Sequence, residues 1–383
     1  MNKGLLSLAI GTFALGVAEF GMMGFLGDVA DSFGVSVSEA GHLISAYSLG
    51  VALGSPGLIV LRRMPLRRLM VLLASMIFIG NVLVAVSPGF HVLLAARFIA
   101  GLPHGAFFGA GAIVCSRIAG ENKGASAVAV LIGGMTVSNL VGVPGATFIS
   151  NMLSWRIAFA CVAFIGLLAV AGLRFMLPPL AALPDMGMKG QFRFLSKPEP
   201  WLIYAGVFFG QASVYTWLSY VQPVMTDVTG FSQDAMTWIM MLVGGGMVVG
   251  NFLAGKLSDK FRASKVTAIL AASAIPVMLA VYFCAPFKAP SVLLAFIAPG
   301  ILFGIGGPLQ YLIVKFAKGG EMLGGAGIQI AFNVSNSMAA ALGGAAISMG
   351  FGLAAPALAG IPCAIIGSAA LFILTARCRA RNL

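Results

Sequence analysis

The chain has 383 residues, 60% hydrophobic and only 9% charged, where a soluble domain of this size carries about a quarter charged side chains. This excludes an ordinary soluble enzyme and, with 50 glycines of the kind membrane helices tolerate, points to an integral membrane protein. A formal charge of +12 would suggest a nucleic-acid partner in a soluble chain, but its distribution supplies another reason.

A membrane helix needs about 20 mostly apolar residues. In chain order the sequence predicts twelve spans, at about 5–27, 39–61, 68–86, 91–116, 125–147, 155–177, 200–222, 235–257, 266–284, 291–316, 322–348 and 355–376. The first run resembles a signal peptide, but it is too long for an h-region, contains Glu19 and lacks a small-x-small cleavage site, so it reads as a span. The four-residue connection "SPGF" at 87–90 makes the third and fourth spans antiparallel neighbours. The five cysteines, at 115, 161, 284, 363 and 378, show no metal or redox spacing and read as small hydrophobes.

With the N-terminus in the cytoplasm, 20 of the 23 Lys and Arg residues fall on the inner side. Only Arg156 and Lys288 face outward, and Arg97 lies inside a span. This bias puts both termini in the cytoplasm and the protein in a bacterial inner membrane. The +12 thus marks topology beside anionic lipid, and nucleic acid is not expected as a partner.

The chain repeats itself. "VLLA" at 92–95 returns at 292–295, and Glu121 and Gly124 return as Glu321 and Gly324, all 200 residues apart. "VSN" at 137–139 returns at 334–336. The expected organisation is therefore an all-α membrane protein with two six-helix halves in parallel repeat, 1–177 and 200–383, joined by a cytoplasmic linker at 178–199. Parallel halves of this kind describe a transporter architecture with solute bound near the midplane.

These residues reach a known pattern. "GKLSDKFR" at 255–262 is similar to the signature that major facilitator superfamily transporters carry between helices two and three of each half. Its first-half counterpart, "GLIVLRRMPLRR" from Gly57, keeps basic residues including Arg62 but has Leu61 where the family has Asp. "RFIAGLPHGAFFG" at 97–109 resembles the fourth-helix motif of the drug–proton antiporter branch. "SNLVGVPGATF" at 138–148 resembles that branch's fifth-helix motif, with Gly142 and Pro144 split by Val143. The first 60 residues are most similar to sugar-efflux permeases of the AraJ type. The resemblance implies the twelve-helix fold of that superfamily, proton-coupled efflux and a monomer. It assigns conformational roles to Gly57, Arg62, Gly142, Pro144, Gly255, Asp259, Lys260 and Arg262.

Of eleven acids, Glu19 alone falls deep in a span. An acid at the bilayer centre costs about 2.5–3.5 kcal/mol on insertion scales and usually faces the bundle interior with a function. Glu19 lies roughly 12 Å, and Arg97 roughly 9 Å, from the outer ends of their helices at about 1.5 Å per residue, so the two match in depth. The repeat has Ile297 in place of Arg97. Two readings stand: Glu19 carries a proton tuned by Arg97, as the resembling antiporters imply, or the pair only fixes the packing of two helices. His104, seven residues past Arg97 and on nearly the same face, is either a relay or a buried neutral histidine.

Gln329, Asn333 and Asn336 form an i, i+4, i+7 stripe on the eleventh span. Gln211 and Tyr215 pair on the seventh, Gln310 and Tyr311 sit on the tenth, and Asn139 on the fifth. Converging amides and aromatics suit a neutral, hydroxyl-rich or mixed-polarity small molecule, although each polar group singly is also explained as helix glue. Met22 and Met23 are adaptable apolar lining or ordinary packing. Gly and Pro groups in spans four, five, eight and ten are expected bending points. No P-loop, cofactor motif or metal set is present in the sequence, so energy comes from an ion or solute gradient. The leading reading is proton-coupled efflux of a sugar or amphipathic drug. A sugar facilitator or proton-coupled importer is the alternative, and an enzyme or receptor would need a different constellation.

Overall fold

The computed structural model describes residues 3–55, 61, 64–119, 124–182, 193–317 and 321–380. Gly57, Arg62 and residues 183–192 of the expected linker lie outside the described residues. In hydrocarbon every backbone N–H and C=O must be satisfied within the segment, which leaves helices as the solution for an apolar chain of this kind. The described residues are accordingly helical, without strands.

The principal helices are α1 (Lys3–Gly24), α2 (Leu26–Phe33), α3 (Val37–Gly54), α4 (Leu66–Ala85), α5 (Phe90–Gly101), α6 (Pro103–Ala119), α7 (Gly124–Val137) and α8 (Val143–Met152). They continue as α9 (Trp155–Met176), α10 (Pro198–Leu218), α11 (Ala235–Lys260), α12 (Ala263–Cys284), α13 (Lys288–Phe316), α14 (Glu321–Ala346) and α15 (Ile361–Ala380). Ten stretches among the described residues are long and apolar enough to cross a membrane. The expected second and seventh spans are helical as α3 and α10 but fall outside those ten, because polar residues such as His42, Ser45 and Tyr47, or Gln211 and Tyr215, dilute them.

The starts and breaks have local causes. Ser36 and Glu39 form a reciprocal capping box at the start of α3: the Ser36 N–H donates to the Glu39 carboxylate at 2.9 Å and the Glu39 N–H donates to the Ser36 hydroxyl at 3.2 Å. The Ser154 hydroxyl accepts from the N–H groups of Arg156 and Ile157 to begin α9. The fourth expected span is interrupted at Leu102, where Pro103 opens α6. The fifth is interrupted by a π-helical turn, Ser138–Gly142, just before Pro144 in the first turn of α8. Wide turns of this sort absorb a missing backbone donor and often mark functional positions.

The chain gathers into two compact units, Met1–Phe25 with Ala46–Met186, and Leu26–Ser45 with Gly187–Leu383. In the first unit α1 is buried on most sides and packs against α7 and α9. The Thr12 hydroxyl donates across to the Leu131 carbonyl at 2.7 Å. A Cβ at Gly16 would collide with the Ser138 side chain, and one at Gly134 with the Ala9 carbonyl, so glycines let α1 and its partners approach closely. In the same way Gly50 faces the Phe98 carbonyl and Gly101 the Tyr47 carbonyl, drawing α3 onto α5.

In the second unit α10 packs on α13, α14 and α15, and α11 on α13. The close crossing of α11 and α13 rests on Gly250 against Gly300. Prolines stand inside α12 (Pro276) and α13 (Pro299 and Pro308). Residues 26–45 join this unit through hydrogen bonds: the Gly27 N–H to Gln222 Oε1 at 2.6 Å, and the hydroxyls of Ser38 and Ser45 to the carbonyls of Gly344 and Ser337 at 2.8 and 2.9 Å.

Candidate functional site

Four helices of the first unit bring their polar side chains to one place. Glu19 of α1 is 1% exposed, and Arg97 of α5 and His104 of α6 are equally buried. The Arg97 guanidinium donates to the Ala18 carbonyl at 2.6 Å. It lies 4.4 Å over the ring of Tyr47 from α3 and 5.6 Å from that of Phe159 from α9. Arginine suits such a place, because its planar cation stacks on aromatic faces while its edge hydrogen-bonds. The charges of Arg97 and Glu19 act on one another, and His104 Nε2 stands 3.8 Å from Glu19 Oε2. Tyr47 completes the group, with its hydroxyl 3.0 Å from His104 Nδ1. Phe108 stacks on the imidazole, centroids 5.4 Å apart.

The expected trio of Glu19, Arg97 and His104 is thus brought together, and the matched depth inferred from helix rise corresponds to real proximity. Tyr47 escaped the sequence reading. Its only signal was a tyrosine amid small residues, "SAYSLG", in a span otherwise poor in polar aromatics. Burying two ions costs several kcal/mol each, which Coulomb attraction offsets only when the remaining hydrogen bonds are good. The backbone carbonyl and the aromatic faces supply those contacts for Arg97.

The same unit holds Asn139 in the π-helical turn, buried, with an Oδ1 that accepts no hydrogen bond among the described residues. A Cβ at Gly142 would come within 2.6–2.7 Å of Val17 and Phe13, so this turn rests directly on α1. Met22 and Met23 are fully buried within the unit.

The second unit carries a neutral polar group instead. Gln211 and Tyr215 of α10 are buried, as are Asn333 and Asn336 of α14. The Tyr215 ring meets Phe332 edge-on at 5.5 Å, and the Ser335 hydroxyl donates to the Phe208 carbonyl at 2.5 Å, fixing α14 against α10. Gln211 Nε2 donates to the Leu302 carbonyl at 3.3 Å and Asn333 Nδ2 to the Gln329 carbonyl at 2.9 Å. Their oxygens, Gln211 Oε1 and Asn333 Oδ1, accept no hydrogen bond among the described residues. Gln310 and Gln329 are half-buried, whereas Tyr311 is 63% exposed.

Of the motif residues, Gly255 and Asp259 lie in the last turns of α11, Lys260 ends it with its ammonium 5.7 Å from the Phe261 ring, and Arg262 caps α12 in extended backbone. A further acid is buried where the sequence suggested a loop. Glu199, in the first turn of α10, is 3.7 Å from Arg377 of α15. The "PEP" around it reads as linker, but a proline in the first turn is compatible with a helix, and that turn favours a carboxylate.

The sequence profile of the Major Facilitator Superfamily matches residues 8–344. The chain is similar to AraJ of Escherichia coli (strain K12), described as a transporter, at 42% identity over 97% of this chain and 94% of that protein. It is similar to the inner membrane transport protein YdhP of the same strain at 34% identity, over 92% of this chain and 90% of YdhP. Its fold is similar to that of a bacterial homologue of the human lysosomal transporter Spinster, with a TM-score of 0.75 at 18% identity, covering 97% and 96% of the two chains.

Proposed function

The chain belongs to the Major Facilitator Superfamily, and we propose that it exports a small solute across the membrane in exchange for protons. It is a multi-pass inner-membrane transporter and not an enzyme. Within this reading the chain forms twelve spans in two six-helix halves, 1–177 and 200–383, with both termini cytoplasmic. It works as a monomer by alternating access.

One observation carries the coupling. Glu19 is buried inside a membrane span beside the Arg97 cation and 3.8 Å from His104. Burial disfavours an ionised carboxylate, and a neighbouring cation favours it. The balance turns on whether water reaches the site, and a site that opens alternately to two sides exchanges water with each. Glu19 then takes up a proton on one side and loses it on the other, with Arg97 biasing the loss. The direction of solute flow is taken from the motifs at 97–109 and 138–148, which resemble those of antiporters.

The solute side of the proposal rests on the neutral group. Gln211, Tyr215, Asn333 and Asn336, with Gln310 and Gln329, offer acceptor oxygens and aromatic faces but no charge. They suit an uncharged solute with several hydroxyl or N–H donors and an apolar face, such as a sugar or an amphipathic drug.

Purified protein in liposomes tests both parts. A ligand-stabilisation screen over sugars, drugs and metabolites identifies the solute, and an imposed pH gradient is then expected to drive it uphill against the proton flux. Glu19→Gln is expected to abolish the response to the gradient while solute exchange persists. Movement of solute in the same direction as protons, or full pH-driven transport by Glu19→Gln, overturns the reading.

A further inference from the structure

We propose that the Tyr47 hydroxyl positions the proton site: it sets which ring nitrogen of His104 carries the hydrogen, and it changes acceptor when Glu19 changes protonation state. The functional consequence rests on Glu19 being the proton carrier, while the chemistry is local to the first unit. The observation is a chain of three groups with alternative hydrogen-bonding states. His104 Nδ1 lies 3.0 Å from the Tyr47 oxygen, and Nε2 lies 3.8 Å from Glu19 Oε2. The Tyr47 hydroxyl has a second acceptor at 3.5 Å, the carbonyl of Leu15, one helical turn before Glu19 on α1.

A neutral imidazole has one N–H donor and one acceptor nitrogen, and an ionised carboxylate only accepts. When Glu19 is ionised, a lone pair on Nε2 would face its negative oxygens, so the ring hydrogen belongs on Nε2. Nδ1 is then the acceptor, and the Tyr47 O–H donates to it. When Glu19 is protonated, its O–H becomes a donor toward Nε2. The ring hydrogen then belongs on Nδ1 and is donated to the Tyr47 oxygen, and the Tyr47 O–H turns to the Leu15 carbonyl. The two end states differ by the one proton taken up at Glu19, and the imidazole holds one ring hydrogen in both.

The 3.0 Å contact between Tyr47 and His104 serves both states, and the 3.5 Å distance to the Leu15 carbonyl, at the outer limit of a hydrogen bond, favours the first. The 3.8 Å gap to Glu19 exceeds direct hydrogen-bond reach, and a small side-chain shift or one bridging water closes it. The charged and titratable groups that face His104 are Glu19 from α1, Tyr47 from α3 and Arg97 from α5. From its own helix the neighbour is Phe108, and Phe159 of α9 packs on Arg97. Arg97 stacked on the Tyr47 ring holds the ring while leaving the hydroxyl free to rotate. Tyr47 thereby carries the protonation state of Glu19 to a backbone carbonyl of the helix that bears it.

The test reads the tautomer directly, without solute or gradient. Full-length protein labelled with nitrogen-15 in histidine is placed in lipid nanodiscs, and His104 is identified among the three histidines by the signal lost in His104→Gln. At alkaline pH the wild type is expected to show the Nε2–H form, giving way to the Nδ1–H form on acidification. Glu19→Gln is expected to make the ratio independent of pH. Tyr47→Phe keeps the ring beneath Arg97 and deletes only the hydroxyl. It is expected to lower the Nε2–H preference at alkaline pH by about tenfold, the worth of one hydrogen bond.

Wild-type spectra that stay in one tautomer across the pH range, or that show both nitrogens protonated at alkaline pH, overturn the proposal even if the variants fail to fold. Tyr47→Phe spectra that superimpose on wild type overturn it as well. The export reading fails separately, by the liposome assay: a tautomer switch without pH-driven transport leaves the positioning role and removes the pump.

Discussion

In the first unit, four helices bury an acid, a base, an imidazole and a phenol around one point. In the second, the amides and tyrosine buried on α10 and α14 stand apart from Glu199, the acid buried in the first turn of α10. The two places cost stability in different ways. A buried ion depends on its counter-charge, and removing one partner strands the other. A buried amide oxygen without a partner costs only its own desolvation, about 1–3 kcal/mol, and a solute donor can repay that on binding. The first arrangement is suited to holding and releasing a proton, and the second to receiving a neutral molecule. Under the proposed function, coupling and recognition occupy separate structural units, and substitutions in each are expected to have distinct signatures.

The largest effect is expected at the buried base. Arg97→Met strands Glu19 and is expected to destabilise the protein by about 3–5 kcal/mol, read as a lower midpoint of thermal unfolding in detergent. The loss should shrink in the double variant with Glu19→Gln, because the stranded charge is gone. An additive double variant would break the comparison by showing that the two charges are not partners.

Next in size are the amides proposed to receive the solute. Asn333→Ala or Gln211→Ala is expected to raise the solute KM by about tenfold, the value of one hydrogen bond, and to leave the pH profile of transport in place. A shifted pH profile in either variant would erase the distinction between the two units.

A third prediction concerns the inner end of the second unit. Arg377→Gln beside buried Glu199 is expected to lower thermal stability by less than Arg97→Met, because Arg377 is 42% exposed and solvent screens it. An equal loss would mean that the second unit also depends on a buried charge pair.

The smallest effect lies at the start of α3. The Ser36 N–H and hydroxyl, donating to the Glu39 carboxylate, hold its pKa below the ordinary value of 4.5. A lowered folded pKa means that the contribution is complete above about 4.5 and is lost as pH falls through the folded value. Ser36→Ala removes the hydroxyl but keeps the backbone N–H, so the Glu39 titration, followed by carbon-13 NMR of the carboxyl, is expected to move up only part of the way toward 4.5, with faster amide exchange in the first turn of α3 and no change at His104.

Much of the candidate site was legible residue by residue. Glu19 stood out as an acid in a greasy run, Arg97 as a base within a span, and Gln329, Asn333 and Asn336 as an interrupted apolar face. Tyr47 was not legible, because an aromatic residue in an apolar helix has packing as its ordinary explanation. Its role depends on a hydroxyl 3.0 Å from a histidine 57 positions away. Glu199 was hidden for a related reason: the flanking prolines read as linker, and its burial depends on α15, which closes the chain. The π-helical turn at Ser138–Gly142 was anticipated only as a bending point near Pro144, since the hydrogen-bond shift that absorbs a proline is chosen by the surrounding helices.

By itself the sequence determined the chemistry of the solvent and the elements that fit it. A bilayer accepts few charges and no unpaired backbone, so composition, span length and the placement of Lys and Arg constrain an all-helical membrane protein along a single axis. Hydropathy along that axis says nothing of rotation about it. Which side chains meet was decided by the contacts of Gly50 with Phe98 and of Gly101 with Tyr47, where missing side chains let α3 settle onto α5. That approach carries Tyr47 to Arg97 and His104, and only the packed structure turns a lone acid in an apolar run into a four-membered site.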